Sequence, residues 1–182
     1  IRLIVTSDTH GHWLNQPDNP NASLFNTATC IENLKAKEAA VTLTIDLGDF
    51  IQGSSFATYL SQERQDGRVI ARAMNVIGYD YQLIGNHEFN FGQDYRDQII
   101  EDLNADLLVS NIIDDATGKP FLGKPYDIIE REGIKIGIVG VTTSYIPNWE
   151  LPAHYEGLRF EDAFESAKYY VEIVRDQVDV VI

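Results

Sequence analysis

Three short runs hold the residues best equipped for chemistry: residues 6–12 (TSDTHGH), 46–54 (DLGDFIQGS) and 84–92 (IGNHEFNFG). In the first run Asp8 and His10 stand two apart, so extended backbone points both side chains the same way. A carboxylate and an imidazole on one side make half of a divalent metal site; the plain alternative is two polar residues solvated in a loop. In the second run Gly48 and Gly53 let the backbone turn sharply and Asp49 follows an apolar run, although Asp is also a common turn residue for its own hydrogen-bonding reasons. Asp46 reads either as a support for such a site or as a solvent-facing edge position. In the third run turn chemistry accounts for Gly85-Asn86 and Gly92, but not for His87-Glu88 as well.

These runs must be positioned, and the elements around them predict how. Strands are expected at residues 1–7, 41–47, 81–84 and 107–111, and helices at 23–38, 68–77 and 94–103. Residues 8–21 form a polar stretch rich in Asn and Pro. A hairpin is expected from 125–132 and 134–141 with its turn at Glu132-Gly133. A helix at 160–174 and a last strand at 178–182 follow. With no internal repeat, low-complexity segment or linker, this reads as one domain of alternating strands and helices with an antiparallel element late in the chain. In such sheets chemistry gathers in the loops after the strands' C-terminal ends, where all three runs fall.

Composition narrows the chemistry. The chain has 182 residues, 14 Lys+Arg against 28 Asp+Glu, and a net charge of −14. Its 44% apolar and 23% charged residues are those of an ordinary globular protein and exclude wholesale disorder. No apolar run approaches the roughly 18 residues of a membrane span. An acidic chain is a poor partner for a nucleic acid polymer, which needs a basic patch. If the substrate is a phosphate ester, something other than Lys and Arg must attract it. Cys30 is the single cysteine, which leaves no intrachain disulfide and no thiolate cluster; beside Ile31 and Leu34 it reads as a small buried apolar residue. A metal site must then draw on His, Asp, Glu and Asn. Ile1 opens directly into a strand-like run, so no signal peptide is expected within the chain.

The joint pattern is more specific than its parts. D-x-H, then G-D, then G-N-H-E, each where a predicted strand ends, resembles the signature of the calcineurin-like metallophosphoesterase superfamily. The G-D-x-x-Q-G-S form at 48–54, G-N-H-E-F-N-F-G at 85–92, Ser110-Asn111, Gly118-Lys119-Pro120, Pro125-Tyr126 and Gly140-Val141-Thr142-Thr143 are similar to its 5′-nucleotidase and 2′,3′-cyclic-nucleotide phosphodiesterase family. The similarity runs through essentially the whole chain. It implies an α/β fold, a β-sandwich flanked by helices in four layers (αββα). It also implies two divalent metal ions drawn from Mn, Zn, Fe or Co, with Asp8 and His10 on the first, Asp49 bridging both and Asn86 on the second. His87 would face the phosphate, to stabilise the transition state or protonate the leaving oxygen, with Asn90 beside it; Glu88 would support the loop. The metals would then supply the positive charge that an acidic protein lacks.

The sequence departs from the family pattern in two places. The family completes its metal shell with downstream histidines, including a G-H-x-H, whereas only His12 and His154 remain here and neither has that setting. Residues 1–182 are therefore expected to be the N-terminal part of a longer catalytic domain, incomplete at its C-terminus. The missing ligands would lie beyond residues 178–182, that last strand would be central, and nucleotide recognition would fall to a C-terminal domain. Second, 5′-nucleotidases of the family usually carry Asp three residues after the catalytic His, where this chain has Asn90, as the cyclic phosphodiesterase branch often does. Asn holds no charge against an imidazolium. The resemblance thus implies first a 2′,3′-cyclic-nucleotide 2′-phosphodiesterase/3′-nucleotidase, and second a 5′-nucleotidase or UDP-sugar hydrolase, in a secreted, periplasmic, cell-surface or cytoplasmic setting. An inactive metal-poor fragment is the alternative of another class.

Overall fold

The computed structural model describes residues 1–15 and 23–182, so residues 16–21 of the predicted polar stretch lie outside the described residues. Four short strands form one parallel sheet in chain order: β1 (Arg2–Thr6), β2 (Thr42–Asp46), β3 (Tyr81–Gln82) and β4 (Asp106–Leu107). Parallel neighbours need a crossover that returns the chain to the same end. Here α1 (Leu24–Lys35) makes the first, α2 (Ser55–Tyr59) and α3 (Arg68–Ile77) the second, and α4 (Gln93–Glu101) the third. Ser23 starts α1 by accepting the Asn26 N–H on its hydroxyl, and Gly78 ends α3 in the left-handed conformation. The register sets Thr6 opposite Asp46 and Asp46 opposite Gln82, so β1, β2 and β3 end level with one another. The three loops that follow leave the sheet side by side, as their placement at strand ends predicts.

Beyond β4, β5 (Ile112–Asp114) and β8 (Leu158–Phe160) form an antiparallel ribbon. β6 (Tyr126–Arg131) and β7 (Ile134–Val139) form the expected hairpin, and β9 (Val180–Val181) joins β7 in parallel. α5 (Ile146–Trp149) and α6 (Ala163–Val174) complete the chain. Ile4 packs with Ile31 of α1, Ile70 and Met74 of α3 and Ile99 of α4 on one face of the first sheet. On the other face Leu43, Ile45 and Tyr81 meet Ile136 and Ile138 of the second sheet. Each such buried aliphatic side chain is worth roughly 1.5–3 kcal/mol. α6 covers the outside of β7, where a Cβ on Gly137 would stand 3.1 Å from Val174. The order helix, sheet, sheet, helix is the αββα arrangement. Among the described residues no helix is long and apolar enough to cross a membrane.

Several local expectations are corrected. The helix expected from residue 160 starts at Ala163, because Asp162 caps it by accepting the Glu165 N–H, while Phe160 belongs to β8 and stacks edge-on against Phe89 and Tyr155. Cys30 is exposed, since α1 turns Leu24 and Ile31 inward and position 30 falls off that face. Among the described residues β9 pairs only with β7 and so forms an edge of their sheet. β1 is the opposite kind of edge. Leu3 and Val5 share the inward face with their neighbours Leu43 and Ile45, yet are 43% and 49% exposed.

Asp46 is neither an edge position nor solvated: it is fully buried at the end of β2. Its carboxylate accepts the Thr6 hydroxyl at 2.5 Å and the Gly48 N–H at 3.1 Å, and Thr6 in turn accepts the Tyr79 hydroxyl at 2.8 Å. Burial outweighs these bonds and pushes its carboxyl from 3.8 up to about 6. Asp46 therefore favours the folded state fully below its ordinary value, and the contribution is lost as pH rises through about 6. With the non-titrating Asp46→Asn variant as reference, the chain should gain about 1 kcal/mol on going from pH 8 to pH 5. Urea midpoints of both proteins at both pH values measure this. A constant difference would show that Asp46 titrates like an exposed carboxylate.

Candidate metal centre

The loops after β1 and β2 hold unusual backbone. Asp8, His10 and Asp49 all adopt the left-handed region, with φ of 55°, 47° and 59°. Non-glycine residues there cost on the order of 1–3 kcal/mol each and persist only where surrounding contacts hold them. The contacts are mutual: the Asp8 N–H donates to the Gly48 carbonyl at 3.1 Å, and the His10 N–H to the Asp49 carbonyl at 2.9 Å. The first loop is thus bonded to the second by its backbone.

Glu88 ties in the third loop. It is buried within a 3₁₀ turn at His87–Phe89, and its carboxylate accepts three backbone N–H groups: Asp49 at 2.8 Å, Phe50 at 2.8 Å and Gly85 at 2.7 Å. Burial raises its pKa to about 7 against the pull of those bonds. Asp49 completes the link by accepting the His87 N–H at 2.9 Å. Glycine makes the approach feasible. A Cβ on Gly48, where φ is 100°, would meet the Gly85 nitrogen at 2.3 Å, and one on Gly85 would meet Asp49 Oδ1 at 2.2 Å.

The side chains converge on one cleft of about 810 Å³, lined by Asp8, Asp49, Asn86, His87 and Asn90 with Gln52, Phe91, Trp149 and Glu150. His10 stands at its wall, edge-on to His87 with ring centroids 5.0 Å apart. His10 Nδ1 lies 2.8 Å from the Gln52 carbonyl oxygen, an acceptor, so Nδ1 carries the proton and Nε2 is bare. Nε2 lies 3.6 Å from Asp8 Oδ1. Donor atoms of His10, Asp49 and His87 all lie within 4.8 Å of one another. Oxygen and imidazole donors without a thiolate, one imidazole oriented by a backbone carbonyl, fit a divalent cation of borderline hardness. All six sequence-derived site residues therefore share this locus. His87 stands near enough to His10 and Asp49 that proximity alone does not separate a ligand from a substrate-facing group.

Other positions resolve differently. His12 is exposed and outside the cleft lining. His154 reaches the region only through Glu150, with Nδ1 3.0 Å from Glu150 Oε2. Glu150, Trp149 and the Gln52 carbonyl escape sequence reasoning: a backbone carbonyl has no residue signature, and α5 is too short to show periodicity. No Lys or Arg lines the cleft among the described residues.

Residues 1–174 match the model of the family described as calcineurin-like phosphoesterase. The chain is 30% identical to a 2′,3′-cyclic-nucleotide 2′-phosphodiesterase/3′-nucleotidase of Yersinia enterocolitica, covering 97% of this chain and 29% of that protein. It is 32% identical to a 5′-nucleotidase of Vibrio cholerae, covering 92% and 30%. It also superposes on the crystal structure of the calcineurin-like phosphoesterase YfkN from Bacillus subtilis with a TM-score of 0.82 at 24% identity, over 98% of this chain and 59% of that one. The chain thus spans about a third of the length of the curated relatives it matches.

The Gly85–Asp49 contact generates a prediction. Gly85→Ala forces Asp49 Oδ1 away from a Cβ that would sit 2.2 Å from it. Affinity for Mn²⁺, measured by calorimetry on the full chain, should fall about tenfold or more while circular dichroism remains that of the folded protein. Unchanged affinity would mean that Asp49 does not hold the ion.

Proposed function

Because this chain belongs to the calcineurin-like phosphoesterase family, we propose that its cleft hydrolyses nucleotide phosphoesters with two divalent cations, Asp8 and His10 serving one, Asn86 the other and Asp49 both. The observation that carries this is the convergence of Asp8, Asp49, Asn86 and His87 from the ends of three adjacent parallel strands into one cleft. Such a pair of ions, when bound, clamps the phosphoryl oxygens and supplies hydroxide near neutral pH. The protein does the rest. The Gln52 carbonyl keeps His10 Nε2 bare for a ligand's role. Asn86 contributes a neutral donor, so positive charge remains for an anionic substrate in a protein of net charge −14. His87 is fixed at Nδ1 by Asn90 Oδ1 at 2.6 Å, which leaves Nε2 to stabilise the transition state or to give a proton to the leaving oxygen.

The favoured substrates are 2′,3′-cyclic nucleotides and 3′-nucleotides. The G-N-H-E-F-N form with Asn90 supports that choice, as does likeness to a relative named for this activity. Likeness to the 5′-nucleotidase supports the alternative of a 5′-nucleotidase or UDP-sugar hydrolase. The same reading places the catalytic unit partly beyond these 182 residues; it is supported by the chain spanning about a third of its relatives and by the half-exposed, inward-facing Leu3 and Val5 of β1. Further metal ligands and a C-terminal nucleotide-recognition domain would come from that remainder.

Two outcomes check these assignments in the full-length protein. His87→Ala should lower turnover by about 10²–10⁴-fold with metal content unchanged by elemental analysis; loss of metal would make His87 a ligand. The full-length protein should hydrolyse 2′,3′-cyclic AMP faster than 5′-AMP, while residues 1–182 alone show little hydrolysis of either. Faster cleavage of 5′-AMP would overturn the substrate choice, and full activity from residues 1–182 would overturn the need for further ligands.

A further inference from the structure

The segment from α5 to the turn at Pro152–His154 brings a buried carboxylate behind the catalytic histidine. We infer that Glu150, braced by His154, is a positioning residue that orients the Asn90 amide and, through it, fixes which nitrogen of His87 carries the proton. This deepens the function proposed above and rests on the role given there to His87.

An asparagine side chain has two unlike ends, one accepting and one donating. His87 Nδ1 lies 2.6 Å from Asn90 Oδ1, and Asn90 Nδ2 donates to Glu150 Oε1. The Glu150 side chain is only 7% exposed, and its other oxygen takes the His154 Nδ1–H at 3.0 Å. The Glu150 oxygen that faces the amide accepts, so that end of the amide is the NH₂ group. The end that faces His87 is then the carbonyl, and His87 must present a proton at Nδ1. Nε2 is the nitrogen presented to the cleft, bare in the neutral ring and the donor once the ring takes a second proton. Were the amide reversed, Nδ2 would face His87, the proton would move to Nε2, and the ring would lose its acceptor there.

The arrangement is not that of a structural ion pair. Among the described residues no Lys or Arg pairs with Glu150, and its side-chain partners are the amide that leads to His87 and the imidazole that stops the carboxylate turning. α5 anchors it through the fully buried Ile146, whose carbonyl accepts the Glu150 N–H at 3.0 Å. An Asp at position 90 would have two equivalent oxygens and need no orienting group. The Asn requires one, and Glu150 supplies it.

The test uses the full-length protein with nitrogen-15 histidine. The ring-nitrogen signals of His87, identified by their loss in His87→Ala, are read without metal, and kcat and KM are read with metal. Glu150→Ala should shift His87 from the Nδ1–H form toward a mixture and lower kcat about tenfold, with KM changed less than about twofold. Glu150→Gln, which still offers a carbonyl to Asn90, should restore both readouts. Asn90→Asp with Glu150→Ala should restore the Nδ1–H form without any carboxylate at 150. An unchanged His87 form in Glu150→Ala would overturn the inference. So would failure of both restoring variants to return the Nδ1–H form, since that marks a general packing role. If Glu150→Ala does not fold, the two restoring variants carry the test. Nitrogen signals that follow this pattern in a protein inactive on every nucleotide would uphold the positioning role and sink the substrate assignment instead.

Discussion

The rest of the site depends on one buried carboxylate. Glu88 accepts N–H groups from Asp49, Phe50 and Gly85, and so joins the loop after β2 directly to the loop after β3. Backbone N–H groups at such turns have no sheet or helix partner of their own, and a buried one left unpaired costs about 1–3 kcal/mol. A single acceptor with two oxygens satisfies three of them. Because Asp49 in turn accepts the His87 N–H, the side chain proposed to hold a metal and the backbone that carries the histidine are tied together. The first loop is attached to that body by its own backbone bonds to Gly48 and Asp49.

Much of this was legible in the sequence, for a physical reason. Short runs of β-branched and apolar residues read as strands, and the polar clusters that follow them at strand ends have few structural uses. Residues 1–7, 41–47 and 81–84 therefore announced β1, β2 and β3, and the runs after them announced the cleft. What escaped was set by tertiary context. Asp46 read equally as a support for the site or as an edge residue; only the fold buries it and sets Thr6 and Gly48 against its carboxylate. Phe160 fits a helical pattern, yet the cap at Asp162 and the stack against Phe89 give it to β8. Cys30 was misplaced by one step of helix rotation. Glu150 lies in no motif, sixty positions from the asparagine it bonds.

The acidity of the chain and the chemistry of its cleft are two sides of one design. Carboxylates that hold dications need not be offset by Lys or Arg, and none lines the cleft among the described residues. Bound dications would turn an acidic wall into a local field that attracts phosphate, while the surrounding negative charge keeps polyanions such as nucleic acid away. On the proposed function, a small phosphoester would enter such a cleft more readily than a polymer.

The left-handed backbone at Asp8, His10 and Asp49 carries an evolutionary consequence. Apart from glycine, the residues that tolerate that conformation best are Asn, Asp and His. The backbone thus filters the mutations these sites can accept before any metal is consulted. Drift is confined to an alphabet of oxygen and imidazole donors, and the β-branched and bulky side chains that would blind the cleft are rejected by sterics alone. A lineage built on this chassis would change its chemistry by moving loops, and seldom by exchanging those three residues.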